Sequence, residues 1–593
     1  MLDTAETKAA SLPAKGFISN YIFSRDHKVI GTQYYFLALF AALVGVILSL
    51  LMRVHLVWPA AKIPLLGRLF PNGAPDGVMT PELYLALMTM HGTIMVFFVL
   101  TTAIQNGFGN YFLPIQVGAE DMAFPTLNML SFWTTFVSLA VLLSAIVAAG
   151  GGPISGWTAY APLSALGEVA GPGLGLGQVL WLLSIALFCV ASLLGALNFI
   201  VTTLDLRARG LSLMRLPLTV WGWLATAVMG LLAFAVLLSA GVLLLMDQVA
   251  GTSFFIPGGL VVSDQVIRRG GGSPVLWQHL LWFFGHPEVY IIIVPAIGVA
   301  SHVLAVAARK PTFGYRAVVY ALIGISALGF FVWGHHMFVS GMSPFSGSVF
   351  SALTIAISIP ASVIAFSWLG TLWRGKIRFD TPSLFALGFV SLFVTGGIGG
   401  LFLGQTALDM YLHDTYFVVG HFHLIMGLAA IFGVFIGTYH WFPKMFGRML
   451  NEKLGKAHFW LTFLGGYAIF VPMHFLGIAG HPRRYPDTTA FQFLAPLNSL
   501  HHFITWAATV TAAAQVIFLF NFFWSLWKGR PAESNPWQAT TLEWTIPSPP
   551  PHDNFAGVHP TVYRGAYEYS VPGAEPDYIP QNAPAGNEPA GAG

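Results

Sequence analysis

Apolar runs of roughly 20 residues, the length that crosses a bilayer as a helix, recur along this chain between short polar stretches. They lie near 30–52, 83–106, 127–150, 176–200, 217–246, 275–306, 317–339, 348–371, 384–407, 414–440, 458–479 and 502–526. The pattern predicts an all-α, polytopic membrane protein of about twelve transmembrane helices. An even number of spans puts both termini on one side, and basic residues choose that side. Lys8, Lys15, Arg25 and Lys28 precede the first span, and Lys528 and Arg530 follow the last. The even-to-odd turns carry Arg207, Arg209 and Arg215; Arg309, Lys310 and Arg316; Arg374, Lys376 and Arg378; and Lys444, Arg448, Lys453 and Lys456. The positive-inside rule makes that side cytoplasmic and, for a bacterial chain, places the protein in the inner membrane. Residues 1–28 read as a cytoplasmic N-terminal segment and 29–530 as the helical bundle. Residues 531–593, rich in Pro, Gly and Ala and without periodicity, read as a surface-lying, partly disordered cytoplasmic tail.

Composition agrees. Of 593 residues 56% are hydrophobic and 9% charged, too little polar surface to cover a soluble globule of this size. The net charge of +3 reports topology rather than nucleic-acid binding, because the basic residues cluster between spans. A single cysteine, Cys189, excludes an internal disulfide and a cysteine-based cluster, so a metal here must be held by histidine.

Chemistry concentrates at Trp282 to Tyr290, Trp-Phe-Phe-Gly-His-Pro-Glu-Val-Tyr. His286, Glu288 and Tyr290 interrupt an apolar helix, and ionisable groups in lipid mark an ion path, a metal or a redox site. His286 and Tyr290 are four apart and share one helix face. His335 and His336 end a span, and with His286 they make three imidazoles, a set that suits copper with an open position for a small substrate. His421 and His423 are two residues apart, about 200° around the helix. They must face opposite sides and serve two ligand positions, for which heme iron is the natural consumer. His91 on the second span supplies a further axial ligand. His27, His55, His302 and His440, near span ends, read as interfacial polar residues.

At these motifs the chain resembles subunit I of the heme-copper oxygen reductases, closest to the aa3-type cytochrome c oxidases. The resemblance runs from Asp26-His27-Lys28 to Thr541-Leu542-Glu543-Trp544. It implies a proton-pumping terminal oxidase that reduces O2 to water with electrons from cytochrome c or a c-type heme domain, beside subunits II and III. Heme a would be held by His91 and His423, heme a3 by His421, and copper B by His286, His335 and His336. Tyr290 would be covalently joined to His286 and would supply a proton and an electron to oxygen. His413 and Asp414 resemble a magnesium (Mg2+) site. Arg483 and Arg484, with Trp157 nearby, resemble the heme-propionate partners, and Arg53 the arginine at the heme a formyl group.

Proton supply is read from sidedness. Asp121 lies in an acidic loop between the second and third spans with Asn110, Asn128 and Ser131 close in sequence. Ser192, Asn198 and Glu288 continue a polar trail that resembles the family's D pathway. The reading in which Asp121 merely caps the next helix leaves Glu288 unexplained. Glu288 has no basic neighbour in sequence and is expected to stay protonated until turnover. The second route departs from the family: Ile364 stands where a lysine is usual, and Ala361 where a threonine is. Ser301 persists, and Ser351, Thr354, Ser358 and Ser362 share one helix face and offer a substitute. His55 and His481 are further departures, where an acid and a methionine are usual. A quinol oxidase, a nitric oxide reductase relative and a twelve-span transporter are the alternatives. The transporter predicts an internal repeat, which the chain lacks, and Glu288 with Tyr290 argues against the reductase.

Overall fold

A computed structural model describes residues 16–584. Lys8, Lys15 and the tail beyond 584 lie outside the described residues. Among these, eleven helices are long and apolar enough to cross a membrane: α1 (His27–Val57), α2 (Pro81–Val117), α3 (Pro125–Ala145), α4 (Leu176–Asp205), α5 (Leu218–Val249), α6 (Pro274–Ala308), α8 (Pro344–Leu372), α9 (Thr381–Leu403), α10 (Tyr416–Phe446), α11 (Glu452–Ile478) and α12 (Gln492–Lys528). The twelfth expected span is a shorter helix, α7 (Tyr315–Leu328). The chain leaves it at Gly329 and tightens into a 3-10 turn, Trp333–Met337, which carries His335 and His336. Neighbouring residues are about 120° apart in such a turn, against about 100° in an α-helix, and here His335 and His336 both reach His286.

Helices adjacent in sequence pack side by side, α3 on α4, α4 on α5, α5 on α6 and α11 on α12. α6 is the centre: its most apolar stretch is 100% buried, against 17% for α8 at the periphery. The polar groups of α6 therefore cannot reach past their neighbours to the lipid headgroups. α8 is interrupted at Ile357–Ser358, where Pro360 cannot donate to the carbonyl of Ala356. α2 and α10 each contain wide π-helical turns, Ile94–Leu100 and Thr102–Phe108 in the first and His423–Leu428 in the second. Such turns cluster at functional sites, and here two follow or include the ligand-type histidines. A two-stranded hairpin, Val261–Val262 with Gln265–Val266, decorates the loop between α5 and α6.

The tail differs from its expected looseness. Up to residue 584 it lies against the end of the bundle that bears the Asp121 loop, with Leu542, Trp544, Val562, Tyr567 and Tyr569 buried. Glu543 accepts from Gln116 of α2 at 2.7 Å. Asn554 donates to the carbonyls of Ala119 and Glu120 and meets His27. Arg309, which caps α6 in a left-handed conformation (φ 54°), pairs with Asp577 and lies over the Tyr569 ring at 4.8 Å. That guanidinium hydrogen bond holds the Asp577 carboxyl below its ordinary range. His27, His302 and His440 are correspondingly buried rather than interfacial.

Candidate metal and oxygen site

Residues of α1, α2, α6 and α8 to α12, with the 333–337 turn, line a cavity of about 940 Å³. All six ligand-type histidines line it. His286, His335 and His336 each turn one ring nitrogen to a common point, all within 4.8 Å of one another, and form the single such cluster among the described residues. His286 Nδ1 and His336 Nε2 are 3.3 Å apart, and His335 Nε2 and His336 Nε2 3.1 Å. Four-coordinate bonds of about 2.0 Å to imidazole place ligand nitrogens at this sort of separation, so the donor set fits a copper ion.

Second-layer contacts fix the tautomers. Thr354 donates to the carbonyl of Phe350 at 2.6 Å, so its oxygen accepts from His335 Nδ1–H at 2.9 Å, leaving Nε2 bare for metal. The His336 ring stacks on Trp282 with centroids 4.0 Å apart, and Trp282 donates to the Tyr160 hydroxyl at 2.6 Å. Tyr290 lies against His286 with ring centroids 4.8 Å apart. His286 Nε2, the nitrogen not aimed at the cluster, is buried without a hydrogen-bond partner.

The other three histidines share one arrangement. Nδ1–H of His91 donates to Gly45 at 2.9 Å, that of His421 to Gly396 at 2.8 Å, and that of His423 to Val419 at 2.9 Å. Each ring is thereby locked as the tautomer whose Nε2 lone pair is free, which is what axial ligation of heme iron needs. His423 also stacks on Phe470 at 4.6 Å. Gly399 has the His421 ring so close that an added Cβ would stand 3.0 Å from Nδ1. The donor chemistry and the cavity fit two hemes beside one copper.

Arg53, Trp157, Arg483, Arg484, His413 and Asp414 line the same cavity. Arg483 pairs with Asp414 at 2.5 Å. Burial pushes the Asp414 carboxyl up, but Arg483 and Arg484 outweigh it and hold it below the ordinary range. Burial lowers Arg484 to about 10. His413 Nδ1 meets Asp409 at 2.9 Å and its Nε2 lies 3.9 Å from Asp414. Asp409 thus holds one nitrogen of the His413 ring from four residues before it on the same helical face and leaves the other toward Asp414, a spacing legible in sequence.

On the proton side, Glu288 has Thr101 at 2.6 Å, a partner 187 positions away that the α2 sequence did not flag. The Tyr34 hydroxyl donates to Ser131 at 2.7 Å, and Ser131 in turn to Ala191 at 2.9 Å. Asn110 Oδ1, Asn128 Nδ2 and Glu288 Oε2 are each buried without a protein partner, and atoms so placed are satisfied by ordered water. Opposite Ser131 stands Gly195, whose missing side chain leaves room. Asn198 plays a structural part as well: its amide pairs with both backbone groups of Phe124, at 2.9 and 3.1 Å. Ser192 is half-buried on α4. Asp121 does not cap α3. Its carboxylate accepts from Met122 at 2.7 Å, and burial raises it to about 6.

The α8 hydroxyls are less continuous than their shared face suggests. Ser351 bonds Thr406 at 2.8 Å, Thr354 serves His335, and Ser358 donates to Ile355 at 2.6 Å. Ser358 and Ser362 line the cavity. Ser301 instead accepts from Trp368 at 2.8 Å, beyond the fully buried Ile364.

An all-α bundle around converging ligand histidines defines a membrane-embedded redox enzyme. Residues 29–514 match the family model described as Cytochrome C and Quinol oxidase polypeptide I. The chain is 50% identical over 568 residues to the alternative cytochrome c oxidase subunit 1 of Bradyrhizobium diazoefficiens, covering 95% of this chain and 93% of that one. It is 44% identical to the cytochrome c oxidase subunit 1 of a Synechocystis species, covering 96% of each. A solved heme-copper terminal oxidase dimer shares the fold, with a TM-score of 0.67 at 17% identity over 86% of both chains. The chain belongs to this family: it is the catalytic subunit I of a terminal oxidase, an integral membrane enzyme whose family implies heme and copper.

Proposed function

We propose that this subunit reduces O2 to water with electrons that originate in cytochrome c, and couples the reaction to proton pumping across the bacterial inner membrane. The relatives named above are cytochrome c oxidase subunits, which favours that donor over quinol. In this reading His91 and His423 hold heme a, His421 holds heme a3, and His286, His335 and His336 hold copper B. His413, oriented by Asp409 on its other ring nitrogen, and Asp414 would hold Mg2+ near Arg483. The metals would supply the electrons and the binding position for oxygen. The chain's own residues do the rest: backbone carbonyls fix the imidazole tautomers, Trp282 and Thr354 orient the copper-side rings, and Tyr290 keeps a phenol proton beside His286. The partnerless Nε2 of His286 supports a covalent link to Tyr290.

Protons would enter from the cytoplasm at Asp121, pass the water-lined Asn110, Asn128, Ser131, Ser192 and Asn198 region, and reach Glu288. The α8 hydroxyls with Ser301 would serve a second route toward Tyr290. Both termini then lie in the cytoplasm, and subunits II and III complete the complex. The observation that carries this reading is the convergence of three free histidine nitrogens beside a phenol, in a cavity shared with three further histidines whose Nε2 atoms are bare. Metal analysis and a reduced-minus-oxidised spectrum of the purified complex test it. Copper together with a low-spin and a CO-binding heme is expected; iron without copper would overturn it.

A further inference from the structure

Apart from the ligand-type histidines, His481, in the loop after α11, and His501, on the first turns of α12, are both almost fully buried. Their Nε2 atoms lie 3.0 Å apart. His481 Nδ1 stands 3.0 Å from the carbonyl of Pro482. A carbonyl only accepts, so that nitrogen carries a hydrogen, and in the neutral ring His481 Nε2 is bare. It then accepts from His501 Nε2–H, which leaves His501 Nδ1 bare in turn. Facing this last lone pair at 3.4 Å is Arg53 Nη2, a group that only donates. One carbonyl thus fixes every proton in the chain. An extra proton on either ring would end at His501 Nδ1, against the guanidinium. Burial and the Arg53 charge accordingly hold His481 below the ordinary histidine range.

Arg53 is fastened on the same side by the carbonyl of His501 at 2.9 Å and by Thr505 at 3.0 and 3.2 Å. Tyr416 packs edge-on against both imidazoles, with centroids 5.0 and 5.5 Å away. The remaining arm, Arg53 Nη1, is buried without a partner, on a residue that lines the cavity. We propose that His481 and His501 are positioning residues for Arg53: a neutral two-imidazole relay that holds its free Nη1 at the cavity that His91 and His423 also line, where it would set the spectrum and potential of the low-spin heme. The proposal rests on the placement of a low-spin heme between His91 and His423.

The test uses the assembled oxidase, with His481→Met, His501→Leu and Arg53→Met compared by reduced-minus-oxidised spectroscopy and redox titration after heme content has been measured. Both histidine variants should move the low-spin band in the direction of Arg53→Met. They should also change the electron partition between the two hemes by roughly fivefold, the weight of one net hydrogen bond. His481→Gln, whose side-chain oxygen accepts from His501 Nε2–H, should restore the wild-type band. In an Arg53→Met background, His481→Met should add nothing. His481→Met preserves volume at the rim and decides the matter where His501→Leu fails to assemble. An unmoved band and potential at full heme content overturn the proposal, as does a shift that persists without Arg53. A wild-type complex without any low-spin band overturns the heme placement itself, and the relay with it.

Discussion

Asp121→Asn should make the protein more stable and the enzyme slower. The Asp121 carboxyl is raised from 3.8 to about 6 because it is largely withdrawn from water; Asp26 adds to the shift, and the backbone donors of Met122 and His27 with the nearby Lys28 do not make up the loss. Roughly two pH units of displacement correspond to at most about 3 kcal/mol at 1.4 kcal/mol each. The sign follows from which state keeps its proton. Between about pH 4 and pH 6 the unfolded chain's carboxyl has ionised while the folded one has not, so folding weakens as pH rises through that window, and above about 6 the deficit is complete. An asparagine oxygen still accepts from Met122 but never ionises. The variant should therefore resist heat better than the wild type near pH 7.5, with the two converging near pH 4. The same loss of a titratable group should slow oxygen consumption by roughly tenfold or more, since a relay cannot work without one. Thermal denaturation across pH and an oxygen electrode measure the two effects. Equal stability at both pH values would refute the strained carboxylate. Wild-type turnover would mean that protons arrive by another route.

Four further outcomes follow from the site. His423→Ala should remove the low-spin heme signal and leave a CO-binding heme, and His421→Ala should do the reverse; identical spectra would reject their assignment to opposite faces of α10. Glu288→Gln should abolish pumping and cut turnover by roughly tenfold or more with copper and heme retained, and normal pumping in reconstituted vesicles would remove Glu288 from the route. Thr354→Val, which takes away the acceptor for His335 Nδ1–H, should weaken copper retention by about tenfold or more, read as the copper-to-iron ratio after dialysis against a chelator. Ser358→Ala with Ser362→Ala should slow anaerobic reduction of the high-spin heme while low-spin reduction stays fast. Unchanged rates in the double variant would shift the second route's protons to Asp121.

The histidines that the fold gathers in one cavity were legible because their chemistry is local. His335 with His336, His421 with His423, and His286 with Glu288 and Tyr290 announce themselves within a few positions, in helices otherwise too apolar to hold them. What the sequence hid was partnership at long range. Thr101 beside Glu288, Tyr34 beside Ser131 and Thr354 behind His335 are ordinary hydroxyls in membrane helices, where the default partner is the i−4 carbonyl. Packing supplies the long-range partner: Thr354 keeps its bond to Phe350, and the fold brings His335 to its oxygen. α7 was overestimated for a related reason: hydropathy continues to residue 339, but Gly329 and Gly334 let the backbone tighten so that two histidines meet a third. The tail carried a signal that its composition obscured. Trp537, Trp544, Phe555, Tyr563, Tyr567, Tyr569 and Tyr578 are too many aromatic rings for a disordered segment, and several of them, with Glu543, Asn554 and Asp577, seal the ends of α1, α2 and α6.

The two halves of the site are built on opposite hydrogen-bond logic. At the proposed heme positions His91, His421 and His423 each spend Nδ1–H on a backbone carbonyl, a partner that cannot rotate or titrate, so the lone pair that would meet iron is fixed in advance. Along the proposed proton route Asn110, Asn128 and Glu288 each keep a buried polar atom with no protein partner. Completing those bonds with side chains would have been more stable, because unpaired buried polar atoms cost about 1–3 kcal/mol each. Water can fill them and reorient where a fixed partner could not, and a proton needs that reorientation to move. On that reading, imidazoles held by carbonyls, one of them at 2.8 Å, suit positions that would keep iron fixed, and polar atoms open to water suit a path that would move protons; other unpaired buried atoms, such as Trp223 Nε1 and Glu543 Oε2, lie outside both sets.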